Sequence, residues 1–159
     1  VKASSTDPAQ AEREEKKFHG VQWGLSLDQA REEAVAKKRP ILIDFTGVNC
    51  ANCRLMESNV LPKASIVPLL KEFVTVQLYT DRVPIGSLTA DQREEMALAN
   101  QERQLDLAAE QTNPFYVILT PEGEVVSSIG GYNEAPVFQD FLTKALGKVR
   151  GASDVAQAR

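Results

Sequence analysis

Residues 41–54, Ile-Leu-Ile-Asp-Phe-Thr-Gly-Val-Asn-Cys-Ala-Asn-Cys-Arg, constrain the fold of this chain more than any other stretch. Residues 41–45 are a near-continuous apolar run interrupted by Asp44, as expected of a strand in the middle of a sheet. A short loop containing Gly47 leads into Cys50 and Cys53, and residues 50–59 read as a helix that stops before Pro62. The start of a helix carries partial positive charge and free N–H groups, so a cysteine delivered there has a stabilised thiolate. The second cysteine lies one turn further in, close enough to close a small disulfide. The chain has two cysteines in all, so each has the other as its sole protein partner.

The remainder of the chain supplies a scaffold around that stretch. Residues 1–17 are polar and read as a linker, or as a frayed helix over 9–17. Residues 19–25 alternate apolar and polar and suit a short edge strand or an extended lead-in, with Trp23 as a packing anchor and His19 in a structural or surface role. Ser26 and Gln29 form a capping-box pattern that opens a helix, with Leu27, Ala30, Ala34 and Val35 on its expected inner stripe. Lys37, Lys38 and Arg39 complement the dipole at the end of that helix, and Pro40 terminates it. A short helical piece is expected over 65–72, a strand over 73–79 and a loop over 80–88. Thr89 and Gln92 form a second capping-box pattern, and a polar, half-exposed helix is expected to about residue 109, with Met96, Ala99, Leu105, Leu107 and Ala108 as its sparse apolar positions. Pro114 precedes a strand over 115–119, Pro-Glu-Gly at 121–123 marks a turn, and residues 124–129 return as a hairpin strand. Pro136 suits a first helical turn, and Val137, Phe138, Phe141, Leu142, Ala145 and Leu146 make a strongly amphipathic closing helix. Residues 148–159 read as a loose tail, which leaves 18–147 as one domain. A βαβ unit followed by a ββα unit implies a central mixed sheet flanked by helices.

Composition removes several functional classes. At 159 residues the chain can bury one core. A net charge of −4 argues against a nucleic-acid partner. No apolar run reaches the roughly 18–20 residues of a membrane span. A disulfide-stapled secreted scaffold needs more than two cysteines. No signal peptide is legible, but the sequence opens at Val1, so that carries no weight for targeting.

With the strand, the Cys-x-x-Cys helix, a proline opening a later strand and a hairpin ending in Gly130-Gly131, the chain resembles thioredoxin over roughly residues 26–146. Trp23 in the lead-in, Lys38-Arg39-Pro40 before the strand and Met56-Glu57 after the motif resemble more closely the C-terminal thioredoxin-like domain of DsbD-type thiol:disulfide interchange proteins. That resemblance implies an α/β thioredoxin-like fold with an N-terminal extension and, over 91–109, a helical insertion before a cis-proline strand. It implies a periplasmic domain, with a cytoplasmic one less favoured. Such a domain receives electrons from a transmembrane domain of the same full-length protein and passes them to thiol-disulfide proteins, including those of cytochrome c maturation. Residue by residue, Cys50 matches the attacking cysteine, Cys53 the resolving cysteine, Asp44 the buried acid beneath them, and Pro114 the proline with a cis peptide bond opposite. The chain departs from the common pattern at Asn49, where Trp is usual, at Ala51-Asn52, which lacks a Pro before the second cysteine, and in the length of 80–113.

The chemistry expected is thiol–disulfide exchange, with the reductant direction favoured. Cys50 attacks a partner disulfide as the thiolate, and Cys53 resolves the mixed disulfide. Burial in an apolar strand would raise the Asp44 pKa and suit it to accept the Cys53 proton. With Pro114 cis, the backbone of Asn113 would stand exposed beside the cysteines for a partner's extended segment to pair with, flanked by Asn49, Ala51 and Asn52. Arg54 reads as a helix-surface residue that could lower the thiolate pKa. No cofactor beyond the Cys50–Cys53 disulfide is expected. A purely structural disulfide across so short a loop would stabilise weakly. Zinc lacks half its ligands, because His19 is the one other candidate and is distant. The alternative from another class is a Cu(I) carrier, since two thiolates suit that ion and residues 47–53 superficially resemble a soft-metal loop. Val48 stands where that loop has Met, and the chain is long for that small fold.

Overall fold

The computed structural model describes residues 16–157. The linker expected over 1–17 therefore lies outside the described residues as far as residue 15. Its last residues are strand: β1 (Lys16–Phe18) pairs antiparallel with β2 (Val21–Gly24). The two-residue turn between them places His19 at φ 49° and Gly20 at φ 80°. That combination is the primed turn whose twist matches a hairpin, and Gly20 adopts it without a Cβ penalty. β2 is thus an interior strand, not the edge strand or lead-in expected from sequence; the edge role passes to β1.

The elements that follow are α1 (Leu27–Lys37), β3 (Ile41–Thr46), α2 (Ala51–Asn59), α3 (Val67–Leu70), β4 (Val74–Tyr79), α4 (Ala90–Ala108), β5 (Phe115–Leu119), β6 (Val125–Gly130) and α5 (Ala135–Gln157). The six strands form one sheet in the order β1-β2-β4-β3-β5-β6. β3 runs parallel to β4 and antiparallel to β5, and β2 runs parallel to β4. The central mixed sheet flanked by helices, expected from the order of elements, is the observed architecture. β3 and β4 are buried at every position, because each has a strand on both sides and helices over both faces. The alternation in β4 reflects two different cores, not a solvent face: Thr75 and Gln77 are 5 % and 2 % exposed.

On one face, Leu42, Tyr116 and Ile118 pack with Met56 and Val60 from α2 and its end, Leu70 of α3, and Phe138, Leu142 and Ala145 of α5. Trp23 is fully buried in this cluster. On the other face, Leu27, Ala30 and Ala34 of α1 cover Ile41, Ile43, Phe45, Val76 and Val117. A third cluster at the end of β4 gathers Leu25, Tyr79, Val83, Ile85, Leu88 and Ala97, and folds the long 80–89 connection against α4.

Local chemistry accounts for the helix ends. Ser26 Oγ accepts from Gln29 N–H at 3.4 Å to open α1, and Lys38 closes it in the left-handed conformation. Thr89 and Gln92 make both halves of a capping box at α4. Of the apolar positions expected to face inward, Val35 on α1 is exposed, whereas Met96, Leu107 and Ala108 on α4 are partly buried against the core clusters. Leu105 is exposed, and the buried positions are Ala97, Asn100 and Gln104. The closing helix does not give way to a loose tail after residue 147 but runs on to Gln157. Its extension carries no proline and is tied back by an Arg150–Glu72 ion pair at 2.7 Å. Among the described residues no helix is long and apolar enough to cross a membrane.

Candidate active site

Cys50 and Cys53 are joined in a disulfide, with Cα atoms 5.2 Å apart. Cys50 is the N-cap of α2: its backbone is extended, and its Sγ accepts from the Cys53 N–H at 3.2 Å. The helix therefore begins on the sulfur that the sequence reading marks as the attacker. Cys50 is half-buried, whereas Cys53 is 2 % exposed. Asn49, Ala51 and Asn52 are exposed around them. The pair is thus asymmetric, with one sulfur open to approach and one shielded.

Asp44 lies on the strand face beneath α2 and is 2 % exposed, buried as its apolar strand implied. Its Oδ2 accepts from Gln77 Nε2 at 3.2 Å, across the parallel β3–β4 pairing that sets Asp44 beside Gln77. Further polar groups share this face. Arg54 is not a free surface cation: its Nε lies 2.7 Å from Glu57 Oε2, and its Nη2 donates to Glu57 Oε1 and to Thr46 Oγ1, each at 3.3 Å. Two phenols complete the layer. Burial and then the Glu57 carboxylate push the Tyr79 pKa up to about 12. Tyr116 is raised well above the ordinary value of 10.0, again by burial first and then by the Asp44 and Glu57 charges. Both hydroxyls stay protonated at neutral pH.

The third component is the segment before β5. The Asn113–Pro114 peptide is cis, and Pro114 is buried. Asn113 Nδ2 donates to Thr80 Oγ1 at 2.7 Å and to Thr46 O at 3.4 Å. The register that pairs Phe45 with Phe115 brings this segment alongside the end of β3. The loops after β3, after β4 and before β5 thus meet at one end of the sheet. The carboxyl ends of parallel strands are where open α/β sheets place their sites.

Compared with known proteins, residues 27–146 match a family described as a thioredoxin-like domain. The chain belongs to that family. Three solved structures share the fold. One described as a DsbH oxidoreductase is 21% identical, covers 80% of this chain and 85% of its own, and superposes with a TM-score of 0.63. The oxidised DsbD C-terminal domain of Neisseria meningitidis is 14% identical, covering 75% and 92%, with a TM-score of 0.55. A thioredoxin from Thermus thermophilus is 20% identical, covering 81% and 90%, with a TM-score of 0.57. At these identities the likeness is one of fold. No curated protein matches the chain.

A thioredoxin-like fold carrying a Cys-x-x-Cys disulfide at a helix N-terminus is an apparatus for thiol–disulfide exchange. The family assignment also removes the reason for comparing residues 47–53 with a copper-carrier loop. Sequence reasoning missed Gln77, Glu57, Tyr79 and Asp81 as neighbours of the site. The polar alternation Thr75-Gln77 was a usable signal for the first, since parallel pairing of the two buried strands sets Gln77 beside Asp44. The others depend on which face of α2 and which loop the fold turns inward. An open groove of about 570 Å³ lies at the opposite end of α2, between Ser58 and Tyr132, and no residue of the cysteine site lines it.

Proposed function

We propose that this thioredoxin-like protein is a protein-disulfide reductase that passes two electrons from the Cys50/Cys53 dithiol to disulfides of partner proteins. The observation that carries the reading is the asymmetric pair, with Cys50 half-buried at the N-cap of α2 and Cys53 buried one turn into the helix. In the reduced protein the Cys50 thiolate attacks one sulfur of a partner disulfide. An S–S bond forms to Cys50, the partner's own S–S bond breaks, and its second sulfur leaves as a thiolate that takes a proton from solvent. Cys53 then gives its proton to Asp44, directly or through water, and attacks Cys50 Sγ. The Cys50–Cys53 disulfide forms, the mixed disulfide breaks and the partner's first sulfur leaves as a thiolate that takes a proton from solvent, while Asp44 returns its proton to solvent. A donor dithiol regenerates the reduced pair by the reverse exchange.

Partner segments would lie along Asn113 and Pro114, with Asn49, Ala51 and Asn52 as the exposed residues around the sulfurs. The sequence resemblance to DsbD-type domains, together with the shared fold, supports a periplasmic setting. There the donor would be a transmembrane domain of the same full-length protein, and the recipients would be thiol-disulfide proteins that include those of cytochrome c maturation. The decisive experiment is mechanism-based trapping. Cys53→Ser should accumulate a mixed disulfide through Cys50 with a model protein disulfide, and Cys50→Ser should abolish both trapping and reductase turnover. Turnover that survives Cys50→Ser would end the reading.

A further inference from the structure

The mechanism above makes no use of Asp81, yet this residue has more hydrogen bonds to the cysteine loop than any residue named so far. It follows β4, and its side chain reaches across to the loop that leaves β3. Oδ1 accepts from the Val48 N–H at 2.9 Å and from the Arg82 N–H at 2.6 Å, and Oδ2 accepts from the Asn49 N–H at 2.9 Å. Gly47 is what allows the carboxylate to lie so close: a Cβ at that position would stand 2.8 Å from Asp81 Oδ2. The loop then closes on itself through Cys50 N–H to Gly47 O at 3.3 Å, and Cys50 opens α2. Burial alone would raise the Asp81 pKa, but the N–H groups of Asn49, Val48 and Arg82 outweigh it and hold the carboxyl below its ordinary value. Asp81 is therefore an anion at neutral pH.

Two consequences act on Cys50 in the same direction. The two amides that precede it are committed to a carboxylate and are not available to a thiolate. A fixed negative charge also stands one hydrogen bond from the residue next to Cys50. Both disfavour the Cys50 thiolate against the protonated or disulfide-bonded sulfur, and a couple whose thiolate is disfavoured is the more reducing. We infer that Asp81 is a positioning residue that clamps the 47–50 turn and holds the Cys50–Cys53 couple to its reducing side. The inference rests on the oxidoreductase reading for its biological sense, but its physical content is a property of the cysteine pair alone.

The test compares wild type with Asp81→Asn, which keeps size and one acceptor oxygen but removes the charge. A second variant, Gly47→Ala, keeps the charge and displaces the carboxylate from the amides. The other charged groups beside the cysteine helix, Asp44 on β3 and the Arg54–Glu57 pair on α2, are unchanged in both. Two quantities are read on folded protein: the pH midpoint for Cys50 alkylation, and the dithiol-to-disulfide ratio in a glutathione buffer at pH 8. In Asp81→Asn the midpoint should fall, and the ratio should rise about threefold, the effect of removing one partly solvated charge hydrogen-bonded to the residue next to Cys50. For a two-electron couple that ratio is about 15 mV. Added salt should shrink the difference between Asp81→Asn and wild type. Gly47→Ala should move the midpoint in the same direction by freeing the amides. An unchanged midpoint and ratio in both variants would overturn the inference. Neither readout uses a partner protein, so the shift in the variants together with a wild type that turns over no protein disulfide would sink the proposed function and leave the role of Asp81 standing.

Discussion

Asp44 is a carboxylic acid in a strand whose neighbours Ile43 and Phe45 are fully buried. A buried polar group needs a partner, and Gln77 supplies one from the adjacent strand. Under the proposed mechanism, Asp44 is the residue that holds the Cys53 proton for a short time. Asp44→Asn should slow resolution of a pre-formed Cys50 mixed disulfide by about tenfold or more. Stopped-flow measurement of partner release as a function of pH checks this, and an unchanged rate and profile would remove Asp44 as proton acceptor. The residue types at the site were legible in the chain, because Cys-x-x-Cys after a buried strand admits few alternatives. Which side chains touch them was not: Arg54, read as a surface cation, spends its charge on Glu57, and Asp81 comes to the loop from 32 residues away in sequence.

At the scale of elements, α4 adds amide chemistry to its sparse apolar packing against the sheet. Asn100 Nδ2 donates to Tyr79 O at 2.9 Å, Gln101 Nε2 to Thr80 O at 2.7 Å and Gln104 Nε2 to Thr112 O at 2.9 Å. Three successive inner positions of one helix thus hold the end of β4 and the segment before Pro114, two of the three loops that meet at the cysteines. Replacing Asn100 by Ala leaves the buried Tyr79 carbonyl without its donor, at a cost of about 1–3 kcal/mol, and replacing Gln104 by Ala frees the part-buried Thr112 carbonyl at a smaller cost. Urea unfolding should show that loss, and amide exchange should rise at residues 80–81 and 112–113 before it rises in β3. Exchange that rises equally everywhere would mean that α4 supports the core and not those loops. The helix itself was legible from Thr89 and Gln92. Its inner face was not, because hydrophobic periodicity is blind to a stripe of Asn and Gln that is buried with its hydrogen bonds satisfied.

At the scale of the whole molecule, the polar layer between α2 and the sheet ties stability to pH at the alkaline end. Tyr79 has its pKa pushed up to about 12, and Tyr116 is also raised, whereas unfolding returns both to about 10. The unfolded chain therefore loses phenolic protons first as pH rises. The stabilisation from each group is complete below about pH 10 and is lost as pH climbs through the folded value. Global stability should fall above pH 10 by about 1.4 kcal/mol per pH unit for each phenol, and Tyr79→Phe should reduce that slope by one proton's worth. Denaturant melts at pH 9 and pH 11 provide the check; equal slopes in wild type and variant would refute it. The sequence by itself determined the order of elements from α1 to α5, the strand that carries Asp44, the helix that starts on Cys50 and the proline before β5, because capping residues, periodicity and the Cys-x-x-Cys spacing act within a few residues along the chain. The tertiary structure alone decided that β1 takes the edge in place of β2 and that the closing helix runs on to Gln157. It also decided that Asn100 and Gln104 face inward, that Gln77 pairs with Asp44 and Glu57 with Arg54, and that Asp81 holds the loop before Cys50. Those outcomes follow from which strands pair and which loops meet at the end of the sheet, and such contacts are set by the burial of the whole chain, not by any stretch of it.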